Sequence, residues 1–393
     1  MPESNLDIPV IDLVIIVAYL LGIMALGVFC SRRSRSSSND YFLAGRSLRW
    51  VIVGAALFAT NISTIHLVGL AASGYNEGLV WGNFEWMASF CLILLGLVFA
   101  PFYFKNRIST LPEYLEKRFS PASRTFRAFM AVIGALLIHI GMSLYAGAAV
   151  FQGFFGVDVV YSILIISVVT SIYTVFGGLK AVVVTESIQT LILLVGAMAV
   201  TLFAIFALPD HGIHSFAEFK QALKPEQLSM IHPVRNAEGR LNELSWLAVL
   251  LGYPILGIWY WCSDQTIVQR VLGAKTLRDA QIGPLFAGFL KILPVFLMVL
   301  PGVIGYVLFK DVIGEDSNQT LPVLINRLIP PGLKGVIAAG LLTPRPLPEQ
   351  VKDLCWDNPV KVVLQGKVTG LSDPRTVAAV LLGTMIVFYY LLQ

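Results

Sequence analysis

Charged residues are scarce in this chain of 393 residues. Lys, Arg, Asp and Glu together make up 13% of the sequence, whereas soluble globular domains contain about 25%. Hydrophobic residues make up 56%, and the mean hydropathy is +0.75. Because a water-soluble fold of this length needs a more polar surface, the composition argues against a soluble enzyme, a nucleic-acid-binding protein and a disordered scaffold. It favours a protein whose solvent is the lipid bilayer.

Cysteine is also rare, and the four cysteines show no spacing that is typical of disulfides or zinc sites. Cys91 and Cys262 lie in apolar runs, where we interpret them as small buried hydrophobic residues. We do not expect a cleavable signal peptide, because Glu3, Asp7 and Asp12 precede the first apolar run, where positive charge is needed. The sequence lacks a nucleophile–base pair and a phosphate-binding loop, so we do not expect an enzyme.

Long apolar runs dominate the sequence. About 20 residues of helix cross the hydrocarbon core, and nine runs are candidate spans: residues 12–30, 50–72, 79–104, 128–155, 158–176, 182–208, 245–263, 281–308 and 376–392. Basic connections, such as residues 31–49 with five arginines, alternate with connections such as 73–78, which has no Lys or Arg. Since basic connections stay in the cytoplasm, the pattern predicts an N-terminus outside the cell and an extracellular segment 209–244.

Several spans carry ionisable side chains at membrane depth. Glu85 lies in the third span, Glu186 near the start of the sixth, and Lys291 in the eighth. Such groups are costly in a bilayer and usually face the interior of a helix bundle or a water-filled cavity. The alternative interpretation is that they anchor helices at the interface or pack them together.

Short motifs along the chain point to a family. Residues 40–46 (DYFLAGR), 111–115 (LPEYL) and 177–182 (GGLKAV) resemble motifs of the sodium:solute symporter family. Residues 61–66, 82–86 (GNFEW) and 260–270 resemble motifs of its sodium/glucose cotransporter branch. The motifs follow the family's order between residues 8 and 342, so together they make the resemblance specific.

The resemblance implies an all-α polytopic membrane protein with a leucine-transporter-type inverted-repeat fold. Each five-helix repeat of that fold begins with a helix that is broken at the membrane centre. Residues 59–66 and 252–254 are the expected breaks, since unwound backbone at this depth is tolerated only where it lines a cavity. The expected domains are an extra N-terminal helix (1–30), the first repeat (50–208), the extracellular loop (209–244), a partial second repeat (245–342), a cytoplasmic tail (343–375) and a C-terminal helix (376–393).

The resemblance also implies a sodium site and a sugar site. The carbonyl groups of Ala59 and Ile62 would bind sodium, together with two serine hydroxyls and a carbonyl group from the eighth core helix. Glu186 would lie on the sodium exit path, and Tyr260 would close the inner side of the sugar site. The implied sugar contacts are Asn61, His66, Phe84, Glu85, Tyr260, Trp261 and Lys291.

These side chains suit a ligand with many hydroxyl groups. Amide and carboxylate oxygens accept hydrogen bonds from hydroxyls, Lys and His donate to them, and an aromatic ring covers the apolar face of a sugar ring. We therefore expect sodium-coupled symport of a glucose- or galactose-type sugar by alternating access, in a cell membrane, with a bacterial inner membrane as the favoured location. Two alternatives stay open: another solute (myo-inositol, another polyol, a sialic acid or an amino acid), or a solute sensor that does not transport.

The chain departs from the family pattern after residue 342. The apolar stretch 332–342 begins like the eighth core helix but is too short to span, and prolines at 344, 346 and 348 stop any helix. Four to five helices, on the order of 150 residues, are missing relative to the family. We therefore expect an incomplete second repeat, a sodium site without its serine ligands, and a lowered activity.

Overall fold

Helices account for almost all of the regular structure in the computed structural model. It describes residues 9–31, 43–62, 64–106, 110–134, 157–236, 238–341 and 373–392, together with positions 141, 144, 145, 147, 148 and 370. Within these ranges, β structure is limited to isolated bridges such as that between Leu48 and Ala274. The helices are α1 (Val10–Ser31), α2 (Trp50–Asn61), α3 (Thr64–Glu77), α4 (Asn83–Leu94), α5 (Ala100–Lys105), α6 (Leu111–Arg118), α7 (Pro121–Ile133), α8 (Val159–Phe206), α9 (Phe216–Gln221), α10 (Trp246–Gly257), α11 (Gln265–Leu272), α12 (Leu277–Leu290), α13 (Leu300–Ile313), α14 (Thr320–Leu328), α15 (Leu333–Leu341) and α16 (Pro374–Leu391).

Several of these helices are long and apolar enough to cross a membrane. Among the described residues they are Leu79–Lys105, Ser187–Phe206, Trp246–Ser263, Leu277–Ile313, Pro374–Leu391 and the bent pair α2–α3. The predicted runs 12–30 and 158–176 lie in α1 and in the first part of α8. Most of the run 128–155 lies outside the described residues, so that span stays a prediction.

The predicted connection between the fifth and sixth spans is not present, and this prediction was wrong. α8 is one continuous helix of 48 residues, which at about 1.5 Å per residue is about 72 Å long. The segment between Val159 and Phe206 contains no proline. Two adjacent glycines at 177 and 178 each cost only about 1 kcal/mol relative to alanine. The glycines are thus tolerated inside the helix. Lys180, the basic residue that led to the predicted connection, lies within the same helix.

The first broken helix lies where the sequence predicts it. α2 ends at Asn61, because Ile62 has an extended backbone with a ψ of 123°. α2 and the following α3 are bent by 61° relative to each other. The end of α2 leaves backbone carbonyl groups without a next helical turn to accept from. Such carbonyls at membrane depth are available to a ligand.

The second break is displaced from its predicted place at 252–254. α10 passes through Pro254, which removes only one backbone hydrogen bond. The helix then widens into a π-helical segment, Ile258–Ser263, and ends at Asp264, whose ψ is 131°. The side chain of Asp264 accepts a hydrogen bond from the backbone N–H of Thr266 and so caps α11. This N-cap, and not the proline, fixes the position of the break.

The helix pair α12–α13 is interrupted beside the first broken helix. α12 ends at Leu290, and α13 follows after the π-helical segment Val295–Val299. Glycines bring the backbones together on both sides of this interruption. A Cβ atom at Gly54 of α2 would lie 2.6 Å from the carbonyl oxygen of Gly283 on α12. On the other side, a Cβ atom at Gly302 of α13 would overlap the backbone of α3. The two interruptions therefore lie next to each other.

A buried carboxylate joins α1 to α15. Asp12 is fully buried, and its Oδ1 accepts hydrogen bonds from the backbone N–H groups of Gly332 at 2.8 Å and Gly335 at 2.6 Å. A negative charge at the start of a helix is stabilised by the helix dipole. The N-terminal helix is thus attached to the short helix of the partial second repeat.

The segment 209–244 folds over the C-terminal end of α3 and the N-terminal end of α4. Gln227 donates to the carbonyl oxygen of Tyr75 at 3.0 Å, and Lys224 donates to that of Asn76 at 3.1 Å. A capping box starts its short helix α9. In that box the backbone N–H of His214 holds the pKa of the Glu218 carboxyl below its ordinary value.

The C-terminal helix α16 ends against the same region. The hydroxyl of Tyr389 donates to Oδ1 of Asn83 at 3.0 Å, and the amide of Asn83 donates to the carbonyl oxygen of Met230 at 2.7 Å. The backbone N–H of Met230 in turn donates to the carbonyl oxygen of Leu392 at 2.8 Å. Asn83, the first residue of α4, therefore connects α16 to the segment 209–244.

Replacing Tyr389 by phenylalanine tests this connection. The variant loses one partly buried hydrogen bond and leaves Oδ1 of Asn83 without its tyrosine donor, so the free energy of unfolding should fall by about 1 kcal/mol. Thermal unfolding in detergent measures the change. Tyr390→Phe is the matched control, because Tyr390 is 73% exposed. Equal stability of the two variants would contradict the connection.

Candidate functional site

Lys291 lies at the interruption between α12 and α13 and is 1% exposed. It follows the last residue of α12, and Pro294 prevents a regular helix from continuing because proline has no N–H to donate. The carbonyl group of the next residue, Ile292, accepts a hydrogen bond from the indole nitrogen of Trp86 at 3.2 Å. The break therefore brings a charged side chain to the centre of the bundle while α4 satisfies the exposed backbone.

The ammonium group of Lys291 binds two other predicted site residues. Its Nζ lies 2.5 Å from Oε2 of Glu85, which is 3% exposed. Nζ also donates to Oδ1 of Asn61, the last residue of α2. The aromatic rings of Phe58 and Trp261 have their centroids 5.7 and 5.4 Å from Nζ. A buried charge pair costs much desolvation energy, which hydrogen bonds of this kind and cation–π contacts partly offset.

The π-helical segment supplies the aromatic residues of the site. The amide of Asn61 donates to the hydroxyl of Tyr260 at 3.4 Å. The rings of Tyr260 and Trp261 meet edge to face with centroids 5.1 Å apart. A π-helical turn places an extra residue in the helix, and such turns are frequent at functional sites. We call Asn61, Glu85, Tyr260, Trp261 and Lys291 the Lys291 cluster.

Five of the seven predicted sugar contacts thus lie in one group, although up to 230 residues separate them in the sequence. Phe84 lies at its edge, where its ring meets that of Tyr253 with centroids 6.0 Å apart. His66 is half-buried near the start of α3, on the far side of the break from Asn61. The roles of Phe84 and His66 stay predictions.

The two predicted sodium ligands lie at the first break. Ala59 and Ile62 are both buried. The backbone N–H of Ile62 donates to the carbonyl oxygen of Phe58 at 3.0 Å, so the helix closes its last regular turn just before Ala59. Carbonyl groups at a helix end suit a hard cation such as sodium. The side chain of Glu186 and the segment predicted to lack the serine ligands lie outside the described residues.

Two contacting residues escaped the sequence analysis. Tyr253 accepts a hydrogen bond from the indole nitrogen of Trp261 at 3.4 Å, and Phe58 faces Lys291. Phe58 precedes Asn61 by three residues, so the two share one face of α2. Tyr253 precedes Trp261 by eight residues in an otherwise apolar helix. These two sequence spacings are the signals that could have identified Phe58 and Tyr253 as neighbours of the site.

The Lys291 cluster combines a positive and a negative charge with hydrogen-bond donors and acceptors inside the bundle. The oxygens of Glu85 and Asn61 accept, the ammonium group of Lys291 donates, and the hydroxyl of Tyr260 can do both. These groups bind one another in this conformation. A ligand with several hydroxyl groups can exchange for these contacts one by one without leaving a buried charge unpaired.

Comparison with known proteins shows the family of the chain. Residues 41–343 match the sodium:solute symporter family. The chain is 34% identical over 366 residues to sodium/glucose cotransporter 1 of Oryctolagus cuniculus, covering 84% of this chain and 54% of that protein. It is 35% identical over 366 residues to the sodium/myo-inositol cotransporter of Bos taurus, covering 84% of this chain and 51% of that protein. The chain thus spans about half the length of these curated relatives.

A solved structure shares the fold. It shows a Na⁺-coupled sialic acid symporter in a substrate-bound, outward-open state, and it matches with a TM-score of 0.73 and 22% sequence identity. The match covers 97% of this chain and 81% of that one. This similarity confirms the predicted all-α, leucine-transporter-type fold.

Proposed function

The chain belongs to the sodium:solute symporter family, and on this premise we propose that it binds a sugar at the Lys291 cluster and couples the movement of that sugar to sodium. The observation that carries the proposal is the position of Lys291, which is held between Asn61 on the first broken helix and Glu85 on α4. Three separate elements contribute to one polar group inside an apolar bundle. Ionisable groups in that position are expensive and typical of a substrate pathway.

The chemistry of the cluster favours a glucose- or galactose-type sugar. Glu85 and Asn61 would accept hydrogen bonds from sugar hydroxyls, and Lys291 would donate to a hydroxyl oxygen. His66 would add a further donor. The ring of Tyr260 would cover the apolar face of the sugar and close the site from the cytoplasm, and Phe84 would lie on its outer side.

Sodium would act through the first break. We propose that the carbonyl groups of Ala59 and Ile62 bind sodium from outside, which holds α2 and α3 in the bent arrangement that also places Asn61. Sugar affinity would then rise because Asn61 is already positioned. Moving one charge across 100 mV supplies about 2.3 kcal/mol, enough for roughly fifty-fold accumulation of a neutral sugar. Glu186 would lie on the path by which sodium leaves on the cytoplasmic side.

A polyol is the second candidate substrate, because the chain is 35% identical to sodium/myo-inositol cotransporters. Myo-inositol resembles a pyranose sugar in carrying several hydroxyl groups around a six-membered ring. A solute sensor is the alternative from another class, because residues 343–348 depart from the family pattern at the point where the serine ligands of sodium are expected. We propose a multi-pass location in a cell membrane with the N-terminus outside.

Uptake by reconstituted vesicles tests the proposal. The full chain in proteoliposomes with outside sodium and an inside-negative potential should accumulate labelled glucose well above equilibrium, and potassium in place of sodium should abolish the accumulation. Asn61→Ala should reduce sugar affinity by about tenfold or more, because it removes one partner of Lys291 and Tyr260. Asn76→Ala is the matched control, since Asn76 is an exposed asparagine of α3 that contacts Ser317 instead.

Three other outcomes would contradict sodium-coupled sugar transport, and each points to a different conclusion. Sodium-dependent sugar binding without accumulation indicates a sensor. Competition in which myo-inositol displaces labelled glucose at a lower concentration than glucose itself indicates a polyol transporter. Binding of neither solute above the level of empty vesicles contradicts both.

A further inference from the structure

The second broken helix has a hinge directly after the aromatic residues of the site. The π-helical segment ends at Ser263, and Asp264 turns the chain into an extended conformation before α11 begins. The last carbonyl groups of a helix have no partner in the next turn. Here they need partners from elsewhere, because an unsatisfied buried carbonyl group is costly.

The stretch of chain that follows α4 supplies partners for two of these carbonyl groups and a third contact to the next side chain. The hydroxyl of Tyr103 in α5 donates to the carbonyl oxygen of Cys262 at 2.6 Å. The guanidinium group of Arg127 in α7 donates to the carbonyl oxygen of Ser263 at 3.4 Å. The backbone N–H of Leu111 donates to Oε1 of Gln265 at 2.9 Å. These three contacts hold the hinge, and the thiol of Cys262 in addition contacts the carbonyl oxygen of Cys91 in α4 at 3.5 Å.

The Tyr103 contact is the most enclosed of the three. Tyr103 is 3% exposed and Cys262 is fully buried. An interfacial tyrosine that anchors a span in the membrane places its ring at the level of the lipid headgroups. The geometry of Tyr103 is different, because its hydroxyl points into the protein and ends on a backbone carbonyl of the hinge.

The helix that carries Tyr103 also carries Glu85. α4, a π-helical turn and α5 form one apolar span, Leu79–Lys105. Glu85 and Tyr103 lie 18 positions apart on it, which is about 27 Å along a helix axis. One end of this span therefore contacts Lys291, and the other end contacts the backbone one residue after Trp261.

We propose that Tyr103 is a positioning residue for the inner side of the site. Its hydroxyl fixes the hinge at Cys262 and thereby holds Tyr260 and Trp261 against Asn61 and Lys291. Breaking this hydrogen bond releases the π-helical segment and opens the inner side. The functional meaning of this opening rests on the proposed function, but the positioning itself does not.

A single thiol at the hinge measures the positioning without any substrate. We would replace Cys30, Cys91 and Cys355 by alanine, so that Cys262 is the one remaining cysteine, and follow its reaction with N-ethylmaleimide in detergent. Tyr103→Phe removes only the hydroxyl, and we expect the reaction rate of Cys262 to rise about tenfold. Tyr75→Phe is the matched control, because Tyr75 is 5% exposed and its hydroxyl also donates to a backbone carbonyl, that of Gly314 at 3.0 Å.

A second variant tests the same hinge if Tyr103→Phe does not fold. Arg127→Ala removes the contact to Ser263 and should raise the rate at Cys262 in the same direction by a smaller factor. An unchanged rate in a folded Tyr103→Phe or Arg127→Ala protein overturns the proposal. An equal rise in Tyr75→Phe also overturns it, because the effect is then a general loosening.

Added glucose with sodium separates this proposal from the proposed function. If the cluster binds sugar, the ligand should slow the reaction of Cys262 in the unmodified hinge and should slow it less in Tyr103→Phe. A rate that depends on Tyr103 but is unaffected by glucose or myo-inositol supports the positioning role and contradicts the proposed substrates.

Discussion

Replacing Lys291 by methionine should destabilise the protein by about 3–5 kcal/mol, because the change leaves a buried carboxylate without its partner. Glu85 is 3% exposed, and Lys291 is its observed ion-pair partner. Methionine keeps most of the length and the apolar stem of lysine, so the loss comes from the charge and not from a cavity. The free energy of unfolding, measured by denaturant titration in mixed micelles and followed by circular dichroism, should fall accordingly.

A double variant distinguishes the lost pair from general damage. Glu85→Gln together with Lys291→Met leaves no unpaired charge, and we expect it to recover most of the stability that Lys291→Met loses. Sugar binding should stay abolished, because both charged groups are gone. Lys310→Met is the control, since Lys310 is exposed and contacts the ring of Tyr306, and such surface changes stay within about 0.5 kcal/mol. A double variant no more stable than the single one would contradict the ion pair.

A large packing effect is expected at Gly74. A Cβ atom there would overlap the backbone carbonyl of Val299, so Gly74→Ala must push α3 away from the start of α13. Overpacking of this kind costs about 1–3 kcal/mol in a well-packed core. The cost is at the upper end here because the obstacle is backbone, which cannot change its rotamer. The melting temperature of the protein in detergent reports the loss.

Gly69 provides a control on the same helix. It also lies in α3, five residues earlier, and a Cβ atom there would meet nothing within 4 Å. Gly69→Ala should be neutral or slightly stabilising, because alanine is the better helix former by about 1 kcal/mol. Equal melting temperatures of the Gly74→Ala and Gly69→Ala variants would contradict the close packing of α3 against the start of α13.

The core of the site could be predicted from the sequence because membrane burial makes its signal strong. A lysine or a glutamate inside a long apolar run requires a partner, and Glu85 and Lys291 turn out to be each other's partner. Asn61 had a second signal, since polar residues cluster where α2 ends. The resemblance to a family then assigned these residues to one site, although no local sequence pattern connects them.

Other features could not be predicted, and the reasons are physical. Pro254 was an obvious candidate for the second break, yet a single proline removes one hydrogen bond, and the N-cap at Asp264 decided the position. Tyr103 near the end of an apolar span gave the same signal as an interfacial anchor. Its hydroxyl reaches the carbonyl oxygen of Cys262 only through the fold, because 159 positions separate the two residues in the sequence. Helix α8 continues through two glycines because no neighbouring signal forces it to stop.

The glycine crossings described above confine bending to one level of the bundle. Gly54 with Gly283 joins one half of each interrupted helix, and Gly74 with Gly302 joins the other half. We therefore expect each half to move as a unit, with deformation confined to the few residues around Ile62 and Lys291. On this expectation, solvent entering from one face of the membrane requires no rearrangement of the opposite face, and the ion pair between Lys291 and Glu85 opposes leakage through both faces at once.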